Sequence, residues 1–154
     1  MMPAEHTNNS VWMQGMPLLP HKGLLAIAAV IDVALNARNQ PVAAKALAHR
    51  HRLPPRHLEP VLQALVRQGV LKGIRGPRGG YQLAREARRI TADDILRAIS
   101  TADEEEGAAT KTGVLAQVVI PALAQAEVAF SGALSHINIE DLASAAQLLQ
   151  KPFA

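Results

Sequence analysis

The segment from Val70 to Leu83 constrains this chain more than any other. Gly76-Pro77-Arg78-Gly79 places proline second and glycine fourth, the arrangement of a tight β-turn. Short strand-like runs, Val70 to Arg75 and Gly80 to Leu83, flank it. The expected product is a two-stranded hairpin with arginines at its tip. From Gly23 to Gly69 the chain ahead of it reads as three helices. Gly23 to Asn36 sets Leu24, Ile27, Ala28, Ile31 and Leu35 on one helical face, with Leu25, Val30 and Val33 widening the apolar cover. Pro41 suits the first position of a short second helix to His49, where Val42, Ala43, Ala46 and Leu47 recur at helical spacing.

Leu53-Pro54-Pro55 restarts the chain into a third helix that reaches about Gln68. Its apolar stripe is Leu58, Val61, Leu62, Leu65 and Val66, and Arg56, His57, Glu59, Gln63 and Arg67 lie opposite. Pro60 removes one backbone bond and is expected to loosen the start, and Gly69 ends the helix. After the hairpin, Thr91 and Asp94 form a capping box that opens a fourth helix carrying Ile95, Leu96 and Ile99 inward.

Thr101 to Thr112 is small and acidic, with Glu104, Glu105 and Glu106 in succession, and reads as an exposed linker. Beyond it Val114 to Leu134 is strongly apolar, with Pro121 starting or kinking its helix. Asn138 is placed to cap a last helix bearing Leu142, Ala145, Leu148 and Leu149. Two apolar helices detached by a linker do not make a monomeric domain, so burial against a second copy is expected. The predicted organisation is a flexible tail at 1–16, a winged helix-turn-helix head at 17–100, a linker at 101–112 and dimerisation helices at 113–154. The fold class is mostly α, an α+β winged helix with a two-stranded wing.

Charge divides along the same lines. Arg38 to Arg97 holds thirteen Lys or Arg against four acids, a net of +9, while the rest holds three against nine, a net of −6. Confining positive charge to one module is how nucleic-acid affinity is usually localised; a merely solvated basic face is the alternative. Among the 154 residues there is no cysteine, which excludes disulfides, zinc–cysteine sites, thiol nucleophiles and cysteine-ligated clusters. Aromatics at 3% exclude a stacking platform for single strands. Leu24 to Leu35 reads as the longest apolar run; Asp32 interrupts it and it is too short for a bilayer. Residues 1–16 carry no export signal, so no membrane insertion and a cytoplasmic location are expected.

In a winged helix the third helix enters the major groove and the wing tip reaches the backbone or minor groove. Arg56 and His57 open that helix, where the positive helix end and a cationic side chain both favour phosphate or base edges. Glu59 can accept from cytosine N4, or else pair with Arg56 or Lys45. Gln63 lies on the same polar side, and Lys45 adds positive charge on the second helix. In the wing, Arg75, Arg78 and Gly79 suit close approach to a duplex, because glycine places no Cβ in the way. The competing reading is a plain exposed hairpin whose glycines satisfy turn geometry. Gly-Pro-Arg-Gly-Gly is not a Walker loop, since no Gly-Lys-Ser/Thr follows. His49, His51 and His57 read as solvated or phosphate-facing, with no carboxylate beside them to complete a metal site. His136 reads as a surface cap rather than a ligand or pH-sensitive group. No catalytic order of side chains stands out, so no enzyme, no metal and no cofactor are expected.

These residues resemble the Rrf2 family of bacterial winged-helix regulators, which includes iron–sulfur, nitric-oxide and cysteine-metabolism repressors. The resemblance covers roughly Met16 to Gln150. It rests on Lys22-Gly23, Asp32-Val33-Ala34-Leu35, Leu58-Glu59, Arg75-Gly76-Pro77-Arg78-Gly79-Gly80-Tyr81 with Leu83, and Ile139 to Leu142. It implies a homodimeric regulator with a long helix crossing its partner, groove reading by Arg56, His57 and Glu59, and a wing contact by Arg75. The best-known members bind a cluster through three cysteines in the region matching Thr101 to Thr112, and this chain has none. Pro20-His21 replaces the usual hydroxyl residue ahead of the first helix, and Leu25 an aromatic.

The expected function is a dimeric repressor, without an iron–sulfur cluster, that occludes a pseudo-palindromic operator in double-stranded DNA. The alternatives are a winged-helix module that docks an acidic partner protein, and a sensor whose unknown small-molecule effector binds between linker and long helix.

Overall fold

The structure, a computed structural model, describes residues 19–107 and 113–150, with 101–107 as backbone only. The predicted tail at 1–16 lies outside the described residues. Helix α1 is His21–Asn36, α2 Ala44–Arg50 and α3 Pro55–Arg67; strands β1 Leu71–Ile74 and β2 Gly80–Leu83 follow. A short turn, Ala87–Arg89, leads into α4 at Ala92–Gly107, and α5 Ile120–Leu134 and α6 Ile139–Gln150 complete the chain. The fold is mostly helical with one antiparallel pair of strands, in the register Leu71↔Leu83, Lys72↔Gln82, Gly73↔Tyr81 and Ile74↔Gly80.

Local signals placed several elements. Gly79 N–H donates to the Gly76 carbonyl at 2.9 Å, closing the four-residue turn around Pro77. Thr91 Oγ1 accepts from Asp94 N–H at 3.1 Å while Asp94 Oδ2 accepts from Thr91 N–H at 3.0 Å, a reciprocal capping box. Asn138 Oδ1 accepts from Asp141 N–H at 2.9 Å and caps α6.

Other elements differ from expectation. The second helix does not begin at Pro41: Val42 exchanges two backbone hydrogen bonds with Tyr81, at 2.9 and 2.8 Å, and α2 starts at Ala44. Pro41 sets a helix-compatible φ, but Val42 finds ladder partners in the wing that no local propensity reveals. The deepest stripe of α1 is Ala26, Ala29, Val30 and Val33, while Leu24, Ile27, Ala28, Ile31 and Leu35 are half-buried. Both α4 and α6 pack on α1, so small residues sit where the axes approach closest. The segment predicted as a linker from Thr101 continues α4 as far as Gly107, because glutamate and alanine sustain a helix; residues 108–112 lie outside the described residues.

The core joins α1 to α4 and β1 through Val30, Val33, Leu47, Leu58, Leu62, Leu65, Leu71 and Ile95, and half-buried Tyr81 and Leu83 of β2 pack against it. Ile139 belongs to it and is fully buried. Ala92 N–H donates to the Ile137 carbonyl at 2.8 Å and Ile139 N–H to the Ile90 carbonyl at 2.9 Å, so the start of α6 is bound into the head. Helix α5 is different. A wider turn, Leu115–Val119, precedes it; widening relieves the clash between the Pro121 ring and the carbonyl four residues back. Its far end is tied to α4 by Ser131 Oγ, which donates to Asp93 Oδ1 at 2.7 Å and accepts from Arg97 at 2.8 Å. None of its residues is buried, and Leu115–Leu134, at mean hydropathy 1.3, is long and apolar enough to cross a membrane by length and composition. That stretch, not Leu24 to Leu35, is the longest apolar element.

Candidate nucleic-acid interface

Helix α3 buries Leu58, Val61, Leu62, Ala64 and Leu65, which fixes the direction of everything else on it. Arg56, Glu59, Gln63 and Arg67 then fall three or four residues apart on the outward face, and all four are exposed. His57 is exposed at the side of the same opening turn. Pro54 precedes the helix and Pro55, which has no N–H, opens it; no side chain caps the first turn, and His57 N–H donates to the Pro54 carbonyl at 3.0 Å instead. Glu59 makes no ion pair with Arg56 or Lys45 among the described residues; its charge acts on Tyr81 of β2 instead. Burial first, and the Glu59 carboxylate second, push the Tyr81 phenol above its ordinary value of 10.0. Lys45 is exposed on α2.

The wing lies beside this face. Gln63 and Val66 of α3 share a groove of about 570 Å³ with Ile74, Arg75, Gly79 and Tyr81. Arg75 and Arg78 are exposed, Arg78 on the turn itself. Gly79 has a structural reason to be glycine: a Cβ there would meet the Ile74 carbonyl oxygen across the hairpin. The structure thus brings Gln63, Arg75 and Gly79 to one groove. Arg56 and His57 border a different hollow, and Lys45, Glu59 and Arg78 line neither.

Sequence reasoning missed what holds α3 in place. Asp32 of α1 is only 7% exposed. Its carboxylate accepts from Arg50 Nε at 2.8 Å and Nη2 at 2.6 Å, from Asn36 Nδ2 at 3.0 Å and from His51 Nε2 at 3.0 Å. Burial pushes the Asp32 carboxyl up, but the forked Arg50 bond and charge, with Asn36 and His51, outweigh it and hold the group below its ordinary 3.8. An ionised carboxylate only accepts, so the His51 ring nitrogen facing it carries a proton. His51 is therefore not solvated as expected, because a buried anion recruits it. Arg50 and His51 close α2 just before the turn to α3, so this cluster fixes the angle between α1 and the helix-turn-helix. The signal was legible: a lone acid inside the apolar run Leu24 to Leu35 requires a cation.

Three helices, an outward polar face on the third and a hairpin with arginines beside it define a winged helix-turn-helix protein. The chain matches the Rrf2 family model, described as an iron-dependent transcriptional regulator, over residues 19–145, and it belongs to that family. The HTH-type transcriptional regulator IscR of Xenorhabdus nematophila is 35% identical over 81 residues, covering 53% of this chain and 49% of that protein. IscR of Cronobacter sakazakii is 33% identical over 81 residues, 53% of this chain and 50% of that one. The chain spans about half the length of the curated relatives it matches. Among solved structures, T. potens IscR superposes with TM-score 0.68 at 27% identity, over 92% of this chain and 96% of that chain. CymR, the global cysteine regulator of B. subtilis, does so with TM-score 0.64 at 29% identity, over 84% and 98%. The family is one of transcriptional regulators, not enzymes.

The donor set does not fit the iron of that description. A cluster is held by thiolates, and the chain has none. Among the described residues no three His, Asp or Glu side chains converge on a metal position.

Proposed function

We propose that this chain is a sequence-specific DNA-binding transcriptional regulator, a cytoplasmic dimer acting as a repressor without an iron–sulfur cluster. The observation that carries it is the outward face of α3, where Arg56, Glu59 and Gln63 stand exposed, with Gln63 in the groove that also holds Arg75 of the wing. Side chains of α3 read base edges, the wing arginines hold backbone phosphates, and Lys45 adds a further phosphate contact. Residues 17–100 with the start of α6 serve as the reading head, and α5 pairs with a second copy. Two heads about one helical turn apart, roughly 34 Å, would cover a pseudo-palindromic site and exclude polymerase.

The test begins with selection of bound fragments from genomic DNA, followed by gel-shift titration at several salt concentrations. Arg56→Ala is expected to cost roughly 1 to 3 kcal/mol on the selected site and to relax its specificity. Arg78→Ala is expected to weaken all sequences alike and to flatten the salt dependence by about one unit. If both folded dimeric variants kept the parent affinity and salt slope, the basic face would serve an acidic partner protein instead.

A further inference from the structure

Arg56 and His57 have a second neighbourhood, on the side of α3 away from the wing groove. With Lys22 they stand at the mouth of a hollow of about 360 Å³, where the start of α1, the first turns of α3 and α4 converge. Its floor is hydrocarbon: Leu25, Val61, Ala64 and Ile99. No Asp or Glu lines it among the described residues. The volume lies in the range of small-molecule sites, which combine an apolar lining with a few polar groups that fix orientation.

This combination selects a chemical class. Cations above an apolar floor favour a ligand with one negative end and a hydrocarbon body. A free phosphate would leave the floor in contact with water, and a neutral hydrocarbon would leave the guanidinium without an anion. A carboxylate matches the fork of an arginine, which donates two parallel hydrogen bonds to its two oxygens.

We propose that this hollow binds a small apolar carboxylate, and that the bound acid engages the Arg56 and His57 side chains otherwise available to DNA. Binding itself rests on the hollow alone; its regulatory consequence, release from the operator, rests on the reading given under Proposed function. The charge that would meet a phosphate or base edge meets the ligand instead, so the two compete.

Octanoate is the probe, with 1-octanol as its neutral match, titrated calorimetrically into the full chain. Octanoate is expected to bind about tenfold more tightly or better, the worth of a charge-assisted hydrogen bond. Leu25→Trp fills the half-buried floor with a larger apolar side chain and should abolish binding while selected DNA fragments still bind. His21→Glu places an acid at the exposed mouth, where a helix N-terminus tolerates it, and should weaken octanoate by about tenfold. In gel shifts, octanoate should weaken DNA binding by the parent chain and not by Leu25→Trp. Equal affinity for octanoate and octanol, or unchanged octanoate binding in both variants, would overturn the site and point to the open apolar helix α5. Octanoate binding without any effect on DNA would overturn the competition. Failure of every genomic fragment to bind would defeat the regulator reading and leave the calorimetric test of the hollow intact.

Discussion

Helices α3 and α5 are of similar length, 13 and 15 residues, and both leave a face open, but for opposite reasons. Helix α3 is divided: five residues are buried in the head and the open side is Arg56, Glu59, Gln63 and Arg67. Water satisfies that side. Helix α5 is apolar nearly all round and buries nothing, with Leu123 61% and Val128 72% exposed. Removing such surface from water is worth about 25 cal/mol per Å², so the element is unfinished within one chain. One helix leaves a polar face to water, and the other leaves an apolar face there, which under the proposed function is the face that meets a second copy.

The largest expected effect breaks the second half of that contrast. Leu123→Glu with Phe130→Glu, seven residues apart on one face, would remove four apolar side chains from the symmetric interface proposed for α5. At about 1.5 to 3 kcal/mol each, association should weaken by roughly 6 kcal/mol or more, converting a dimer to monomers at micromolar concentration in light scattering. The head should stay folded, since neither residue is in its core. A double variant that stays dimeric, or a parent chain that is monomeric, would show that α5 does not meet a second copy.

The next sharpens where the head ends. Ile139→Ala should cost about 2 to 5 kcal/mol in denaturant unfolding, whereas Leu149→Ala on the same helix, 89% exposed, should change stability by less than about 0.5 kcal/mol. Equal effects would detach α6 from the head. Its role was not legible in the sequence. The stripe Leu142, Ala145, Leu148 and Leu149 shows that α6 has an apolar side but not what it meets. The deciding contact is Ile139, one residue past the cap, fixed by backbone bonds to a segment nearly fifty residues away. Turn and cap chemistry was legible because it acts within four residues, as in Pro77 with Gly79, Thr91 with Asp94, and Asn138. The bridge between Val42 and Tyr81 was not, for the same reason as α6. At the candidate site the outward residues of α3 followed from periodicity, while the grouping of Gln63 with Arg75 needed the wing to be placed first.

Asp32 ties α1 to the end of α2, so it tests whether the face of α3 depends on support from behind. Arg50 is 42% exposed and regains water if its partner is lost, so Asp32→Asn should cost only about 1 to 2 kcal/mol. The pH dependence has a definite sign. The folded-state carboxyl is held below its ordinary 3.8, so its contribution is fully present above that value. It is lost as pH falls from about 4 through the lowered folded value. Thermal melts should therefore show the parent losing its advantage over Asp32→Asn below about pH 4. A constant difference down to pH 2 would mean that the carboxylate charge is not what the cluster uses.

The smallest effect compares the two turns that frame α3. After α2, Leu53 N–H donates to the Ala48 carbonyl at 2.9 Å and Arg52 N–H to His49 at 3.2 Å. After α3, Val70 N–H donates to the Leu65 carbonyl at 2.9 Å and Gly69 N–H to Val66 at 3.1 Å. These are the same closing pattern, and both place the residue past the cap in the left-handed region, Arg52 at φ +54° and Gly69 at φ +73°. A side chain there costs roughly 1 kcal/mol, which Gly69 avoids and Arg52 bears. Gly69→Ala should thus destabilise by about 1 kcal/mol. Arg52→Gly should stabilise by about 0.5 kcal/mol, the smaller figure because glycine also loosens the unfolded chain. If Arg52→Gly raised stability yet reduced the salt slope of DNA binding by about one unit, the strained arginine would be holding a phosphate between α2 and α3. A gain in stability with an unchanged slope would leave Arg52 as a turn residue with no part in the reading face.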